Sequence, residues 1–155
     1  MMVSVARAFH AATDGSGFTN SGGSMSQSLF NSGSVFNFFP PNYLIPGTTT
    51  LGPEFDLQTT AVALVRINFV NSFAFSNLGA GTSYNFTTYA NMAGNPSAMI
   101  DALNALLLHG TLSAASKTAI LTAVNAVLAG ANQNLQRAET AIYLIASSSQ
   151  YQVMR

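Results

Sequence analysis

The chain contains no cysteine, and only 6% of its 155 residues are charged. The absence of cysteine excludes a disulfide framework and a thiolate metal site, and it leaves the redox compartment undetermined. A typical soluble domain has roughly 25% charged residues, whereas the five acidic and five basic side chains here give a formal net charge of zero. Such a chain has little electrostatic attraction for nucleic acid or for anionic lipid, so we expect no nucleic-acid partner.

The polar surface must therefore be built from Ser, Thr, Asn and Gln, which give little colloidal protection at neutral pH. We expect poor solubility in isolation, together with self-association or binding of a hydrophobic dye. Residues 1–15 show no apolar run after a basic start, a pattern that predicts no signal peptide.

The strongest pattern is a long apolar helix in the middle of the chain. Pro53 suits a first helical turn because its missing N–H has no partner there, and the acidic Glu54 suits the positive end of the helix dipole. From Phe55 to Phe75 apolar residues lie on nearly every face, as in a buried helix. We therefore predict a central helix over residues 53–76 whose faces the remaining short helices cannot all cover.

This helix is not predicted to cross a membrane. A spanning helix needs about 20 nearly uninterrupted apolar residues, but Arg66, Asn68 and Asn71 interrupt this one. An arginine in the middle of a bilayer span is costly. We expect Arg66 to pair with Glu139, with backbone carbonyls of the preceding aromatic segment as the substitute partner. An arginine that served a shared site would instead face an open cleft without an acid.

An aromatic segment with two prolines precedes the central helix. Pro40 and Pro41 forbid helix and hold the preceding residue extended. The segment therefore presents its rings on a stiff, non-helical ribbon, and these rings are Phe36, Phe38, Phe39 and Tyr43. We expect the rings to pack on the central helix. The alternative is an exposed platform that stacks on sugars or forms a hydrophobic patch for a partner.

The remaining segments predict an all-α fold. Residues 1–13 form a short amphipathic helix, and residues 14–52 form a loop rich in Gly, Ser and Asn. Residues 95–148 hold three helices, with Asn95 and Ser113 as N-caps, and their short connections make them antiparallel neighbours. The predicted architecture is one helical unit over residues 1–155, with a long central buried helix, an antiparallel helical bundle and a long aromatic and proline-rich loop.

Several stretches, in order, resemble a known family. They are ARAFHAATDG, SVFNFFPPNYLIPGTTTLGPEF, TTAVALVRINFVNSFAFS, DALNALLLHGTLSAASKTAIL and TAIYLIASSSQYQVMR. The pattern is similar to the C-terminal third of the bacterial domain-of-unknown-function family number 1800, and it covers essentially the whole chain. The resemblance implies a mostly helical protein of several hundred residues, exported to the periplasm or beyond, without an established activity. It also implies that the N-terminal portion of the same protein is a partner of this segment.

The sequence contains no strong catalytic or metal-binding pattern. His10 and Asp14 lie four residues apart at a helix end, where a metal or acid–base pair is conceivable. A histidine near the negative end of a helix and an aspartate that opens a turn explain both residues, and His109 before Gly110 has the same explanation. Glu54 and Asp56 do not share a helix face. We therefore assign no catalytic, cofactor-binding or metal-binding residue.

Three functions follow. The leading hypothesis is a non-catalytic helical packing or interaction module, the C-terminal part of an exported bacterial protein. The alternatives are a portion of an enzyme completed by the N-terminal part, with His10, Asp14 or His109 contributing, and a surface polymer-binding segment that uses the aromatic loop. The candidate interaction residues are Phe36, Phe38, Phe39, Tyr43 and Arg66.

Overall fold

The structure is a computed structural model that describes residues 1–76, 78–79 and 81–152. These residues are mostly helical, with one two-stranded antiparallel sheet, and the predicted all-α class is confirmed. The helices are α1 (Met2–Ala8), α2 (Ser16–Ser24), a 3₁₀ helix (Pro53–Leu57), α3 (Thr60–Phe75), α4 (Thr87–Met92), α5 (Pro96–Leu108), α6 (Ala114–Asn125), α7 (Gln133–Ala146) and α8 (Ser149–Gln152). The strands are β1 (Ala12–Thr13) and β2 (Thr82–Ser83).

Helix α7 lies at the centre of the bundle and contacts α3, α4, α5, α6 and α8. Its inward positions recur at helical spacing and are fully buried: Ala138, Ala141, Ile142, Ile145 and Ala146. Its other side carries Gln, Asn, Arg and Thr. A clear division between an apolar and a polar side therefore places this helix in the fold.

Local capping fixes the ends of the helices around α7. The side chain of Asn95 accepts a hydrogen bond from the backbone N of Ala98 at 3.2 Å, with Pro96 at the first helical position. The hydroxyl of Ser113 accepts from the backbone N of Ser116 at 3.1 Å. Both caps satisfy backbone donors that have no partner inside the helix, as the sequence indicated.

The helix predicted over residues 53–76 is divided into two. The 3₁₀ helix ends at Leu57, and α3 begins two residues after Gln58, because the hydroxyl of Thr59 accepts a hydrogen bond from the backbone N of Val62 at 3.2 Å. Pro53 does begin a helical turn, but that turn is of the 3₁₀ type. The 16 residues of α3 extend about 24 Å at ~1.5 Å per residue.

The predicted loop over residues 14–52 is also shorter than expected, because Ser16–Ser24 forms α2. Its glycines allow close approach to other parts of the backbone. A Cβ on Gly17 would collide with the carbonyl oxygen of Leu78, and one on Gly22 would lie 2.9 Å from the carbonyl oxygen of Gln27. These are tertiary and local contacts that a Gly-rich composition does not reveal.

The first helix ends at Ala8 rather than at residue 13. The chain turns after α1 and enters the small sheet, where Ala12 pairs with Ser83 and Thr13 with Thr82. The two threonine hydroxyls lie 2.8 Å apart. Among the described residues, no helix combines the length and the apolar character that a membrane crossing requires.

Candidate functional site

Residues 26–56 form a long segment that we call the arm. All of it lies in the described part of the chain, and none of its large apolar side chains is buried. Those that are exposed outright are Leu29, Phe30, Val35, Phe36, Leu44, Leu51 and Phe55. Phe30 is fully exposed, and Val35 is 94% exposed. The arm is therefore an apolar segment that the bundle does not cover.

The second half of the arm has its own local order. Leu44 and Leu51 form an antiparallel bridge, and the backbone N of Gly52 donates to the carbonyl of Tyr43 at 3.0 Å. A Cβ on Gly52 would lie 2.7 Å from the side chain of Ile45 and 2.9 Å from that of Phe55. Glycine at this position lets the hairpin close on itself.

The structure contradicts the expected packing of the aromatic ribbon on the central helix. Phe36 is exposed, whereas Phe38, Phe39 and Tyr43 are half-buried, and the hydrophobic core of the described residues includes none of these four rings. Rings from other segments occupy the inner face of α3 instead. Three of them surround Phe73, with centroid distances of 4.3 Å for Tyr84 and 5.7 Å for both Phe9 and Phe86.

Helix α3 carries apolar residues on both faces, but the bundle covers only one of them. The inner face is buried and comprises Val62, Phe69, Val70, Phe73 and Ala74. The outer face is exposed along a stripe that comprises Ala61, Leu64, Asn68, Asn71 and Phe75. Leu64 is 58% exposed. Phe75 is 45% exposed, and the inner part of its ring lies against Tyr143 of α7 at a centroid distance of 5.5 Å. The expected uncovered apolar surface on this helix is therefore present.

The predicted ion pair between Arg66 and Glu139 is wrong. Arg66 Nη1 donates to Oε1 of Gln58, and the described part of the chain contains no salt bridge between Arg66 and an acid. Gln58 lies in the turn between the 3₁₀ helix and α3, so the break in the predicted helix creates this partner. Burial lowers the pKa of the Arg66 guanidinium and raises the pKa of the half-buried Glu139 carboxyl.

The residues considered for an enzyme do not form a pair. Asp14 Oδ1 accepts hydrogen bonds from the backbone N and the hydroxyl of Ser16, at 2.9 and 2.8 Å, and these bonds lower the pKa of the Asp14 carboxyl. His10 and His109 each lie just after a helix. Both residues adopt a left-handed backbone conformation, with φ of 51° and 52°. Within the described ranges, no group of three or more His, Asp or Glu side chains could hold a metal ion.

Sequence reasoning missed one groove, which has a volume of about 970 Å³ and lies between α1, the end of α5 and α8. Arg7, His109 and Tyr151 are among its lining residues. Burial raises the pKa of Tyr151 to about 12, and its hydroxyl has no hydrogen-bond partner among the described residues. Residues far apart in the chain meet here, so no local sequence signal could have indicated the groove.

The chain matches a known protein family. The family model described as "Protein of unknown function (DUF1800)" matches residues 1–153. No curated protein and no solved structure matches the chain.

Proposed function

The chain belongs to the DUF1800 family, and from that premise we propose that it is a non-catalytic helical interaction module. The arm and the outer face of α3 are its interaction surface, and another polypeptide covers them in the assembled protein. We also propose that the chain is the C-terminal part of an exported bacterial protein, as the resemblance implies. The enzyme alternative would use His10, Asp14 or His109. His109 lines the groove beside α8, but among the described residues these three side chains form no pair with one another and no metal-binding group.

The exposure of the arm carries the proposal. Phe30 and Val35 have almost no contact with the rest of the protein, and each large apolar side chain left in water forgoes roughly 1.5–3 kcal/mol of burial free energy. Monomeric soluble proteins rarely expose a contiguous apolar surface of this kind unless a partner binds there. The fold is thus most stable when the arm is covered.

The charge distribution supports docking through apolar and amide groups. No charged residue lies between Asp14 and Glu54, so α2 and nearly all of the arm are neutral. Apart from Glu54 at its end, the exposed polar residues of the arm are Ser, Thr and Asn. A partner would therefore bind by apolar burial and hydrogen bonds, with little dependence on salt.

Site-specific photo-crosslinking in cells that express the full-length gene tests the proposal. A benzophenone amino acid would replace Val35 in one variant and Leu64 in another. The matched control replaces Leu128, which is 85% exposed but lies outside the arm and α3. We expect the first two variants to link to a polypeptide at positions that mass spectrometry can map, and the control to give no defined product. Equal yields from all three positions, or no polypeptide product, would refute the proposal.

The exposed rings support a second candidate, which is binding of a surface polymer. Phe30 and Phe36 are exposed and are each followed by an asparagine, and rings of this type stack on sugars. Phe30 also has a left-handed backbone, at φ 56°, which is rare for a bulky residue. If this candidate is correct, the protein sediments with insoluble polysaccharide, and the double variant Phe30→Ala/Phe36→Ala does not. Equal sedimentation of the native chain, the double variant and Leu128→Ala would reject it.

A further inference from the structure

From Leu64 to Phe75, the outer stripe of α3 shows the same order of apolar and polar residues when it is read from either end. There the apolar Leu64 and Phe75 flank the polar Asn68 and Asn71, and Ala61 lies one turn before Leu64. Both pairs are centred midway between residues 69 and 70. A second α3 that ran antiparallel across this point would therefore place Leu64 opposite Phe75 of the second copy, and Asn68 opposite Asn71.

We infer that the polypeptide covering α3 is a second copy of this chain, joined through antiparallel pairing of the two α3 helices. The inference rests on the proposed function and names its partner. A two-fold interface uses the same patch on both subunits and must be complementary to itself. The stripe on α3 meets that requirement, because apolar ends meet apolar ends and amides meet amides.

The spacing of the stripe suits a helix pair. Ala61, Leu64, Asn68, Asn71 and Phe75 follow one another at intervals of three, four, three and four, which is the spacing of the contact seam between two paired helices. An asparagine in such a seam lowers stability but fixes register and the number of helices. Each amide carries both donors and an acceptor, so an Asn68 amide satisfies an Asn71 amide of the second copy.

The seam also carries no charge, so two identical copies do not repel each other along it. Arg66, the single cation of α3, is not in the seam and donates to Gln58 on its own chain. The net charge of the whole chain is zero. Association of two copies therefore has no long-range electrostatic cost to overcome.

The arm supplies area that the helix pair alone lacks. In an antiparallel pair the N-terminus of one α3, where the arm ends, lies beside Phe75 of the second copy. The exposed portions of the four rings of Phe30, Phe36, Phe55 and Phe75 amount to roughly 500 Å² per copy, at ~200 Å² for a whole ring. The exposed leucines of the arm, together with Leu64 and Val35, bring the available total above the ~800 Å² per partner that a stable interface buries. The α3 seam sets the orientation, and the arm adds most of the buried surface.

Disulfide trapping tests the orientation directly, because the chain contains no cysteine of its own. Leu64→Cys and Phe75→Cys chains, one of them carrying a larger tag, are mixed and mildly oxidised. We expect the mixed dimer to exceed the homodimer of either variant by at least tenfold. The control mixture pairs Leu64→Cys with Leu128→Cys and should give no product above background. Self-linking of Leu64→Cys alone would show parallel pairing, and absence of any link would show no α3 pairing; either result overturns the inference.

Charge placed at the symmetry centre gives an independent test that does not depend on cysteine chemistry. Asn68→Asp/Asn71→Asp puts like charges opposite each other, whereas Asn68→Asp/Asn71→Lys puts opposite charges there. By analytical ultracentrifugation we expect the dimer dissociation constant to rise at least tenfold for the first variant and to stay near the native value for the second. Both sites are exposed, and circular dichroism confirms the fold of each variant. Equal dissociation constants for the two variants would contradict the pairing.

The outcomes for the two proposals can be distinguished. A native chain that is monomeric at micromolar concentration, but whose Val35 position still links to a different polypeptide, retains the proposed function and overturns the second-copy inference. If neither dimer nor link is found, both fail.

Discussion

Helix α7 and helix α3 show that apolar character does not by itself determine burial. Helix α3 is the more apolar of the two along its length, yet its outer stripe faces water. Helix α7 has a mostly polar side, on which Leu135 is the exposed apolar residue, and its inner positions are completely buried. The difference is in the neighbours, because five helices surround α7 whereas the described bundle covers only one face of α3. An apolar face without a neighbour is the feature that points to interaction.

The aromatic residues divide in the same way. In the bundle, Phe73 is at the centre of a group of rings whose closest centroid distance is 4.3 Å, to Tyr84. In the part of the chain that the structure describes, no ring of the arm takes part in such a pair. One group of rings stabilises the fold, and the other is free to stabilise an assembly.

The same substitution in the two regions should give the largest contrast. Phe73→Ala removes a fully buried ring and should lower the free energy of unfolding by about 3–5 kcal/mol, because it leaves a cavity in a packed core. Phe30→Ala removes a fully exposed ring and should change that free energy by no more than about 0.5 kcal/mol. Urea denaturation in dilute solution measures both. Similar losses for the two variants would mean that the arm is part of the folded core.

Alkaline pH should destabilise the bundle through ionisation of buried tyrosines. Burial raises the pKa of Tyr151 to about 12 from an ordinary value of 10.0, so the fold favours the protonated phenol. Its contribution to stability is complete below about pH 10 and is lost as the pH rises toward 12. Burial raises the pKa of Tyr84 and Tyr89 in the same direction. In thermal melts, Tyr151→Phe should therefore lose less stability at alkaline pH than the native chain. Part of the loss should remain, because Tyr84 and Tyr89 still titrate.

A second observation makes this prediction sharper. The Tyr151 hydroxyl is buried without a hydrogen-bond partner among the described residues, so its removal strands no other group and should be neutral or slightly stabilising at pH 7. A loss of more than about 1 kcal/mol at pH 7 in Tyr151→Phe would show that the hydroxyl does have a partner.

The sequence predicts the bundle better than the arm, because the bundle is specified by local signals. Asn95 and Pro96 mark the start of α5 by a cap and a proline, and both act within one turn. Pro53 was misleading, because proline suits the first turn of a 3₁₀ helix as well as that of an α-helix. After the break that follows, the hydroxyl of Thr59 caps the start of α3. Helix α2 requires close approach of Gly17 to Leu78, which the composition cannot show.

The candidate site was predictable only in part. The ring residues of the ribbon were identified from the two prolines, but whether a ring faces the bundle or water depends on which other rings fill the core. Leu64 and Phe75 were not singled out, because a helix that is apolar on every face gives no indication of its uncovered side. Glu139 was chosen as the partner of Arg66 from its place on α7, and Gln58 became available only through the break before α3.

The cap of α5 should contribute less than the core rings of the bundle. Asn95→Ala removes the oxygen that accepts from the backbone N of Ala98, and it should cost about 1 kcal/mol of unfolding free energy. Asn95→Asp is the matched control, since a carboxylate keeps the acceptor and suits the positive end of the helix. Chemical denaturation that showed equal losses for both variants would indicate that the cap oxygen is not what stabilises this end.

The smallest effect is expected from loss of the ion pair between Lys117 and Asp101, the one salt bridge in the described ranges. It joins α6 to α5, with an Nζ to Oδ1 distance of 2.6 Å. Both side chains are partly exposed, so water screens their attraction, and the coupling should be about 0.2–1 kcal/mol. A double-mutant cycle with Asp101→Asn and Lys117→Gln measures it, and 1 M salt should reduce it further. Because the bundle is held by apolar contacts around α7, loss of this pair should leave it folded. A coupling above about 2 kcal/mol that persisted in salt would contradict this, since it would require a pair shielded from water.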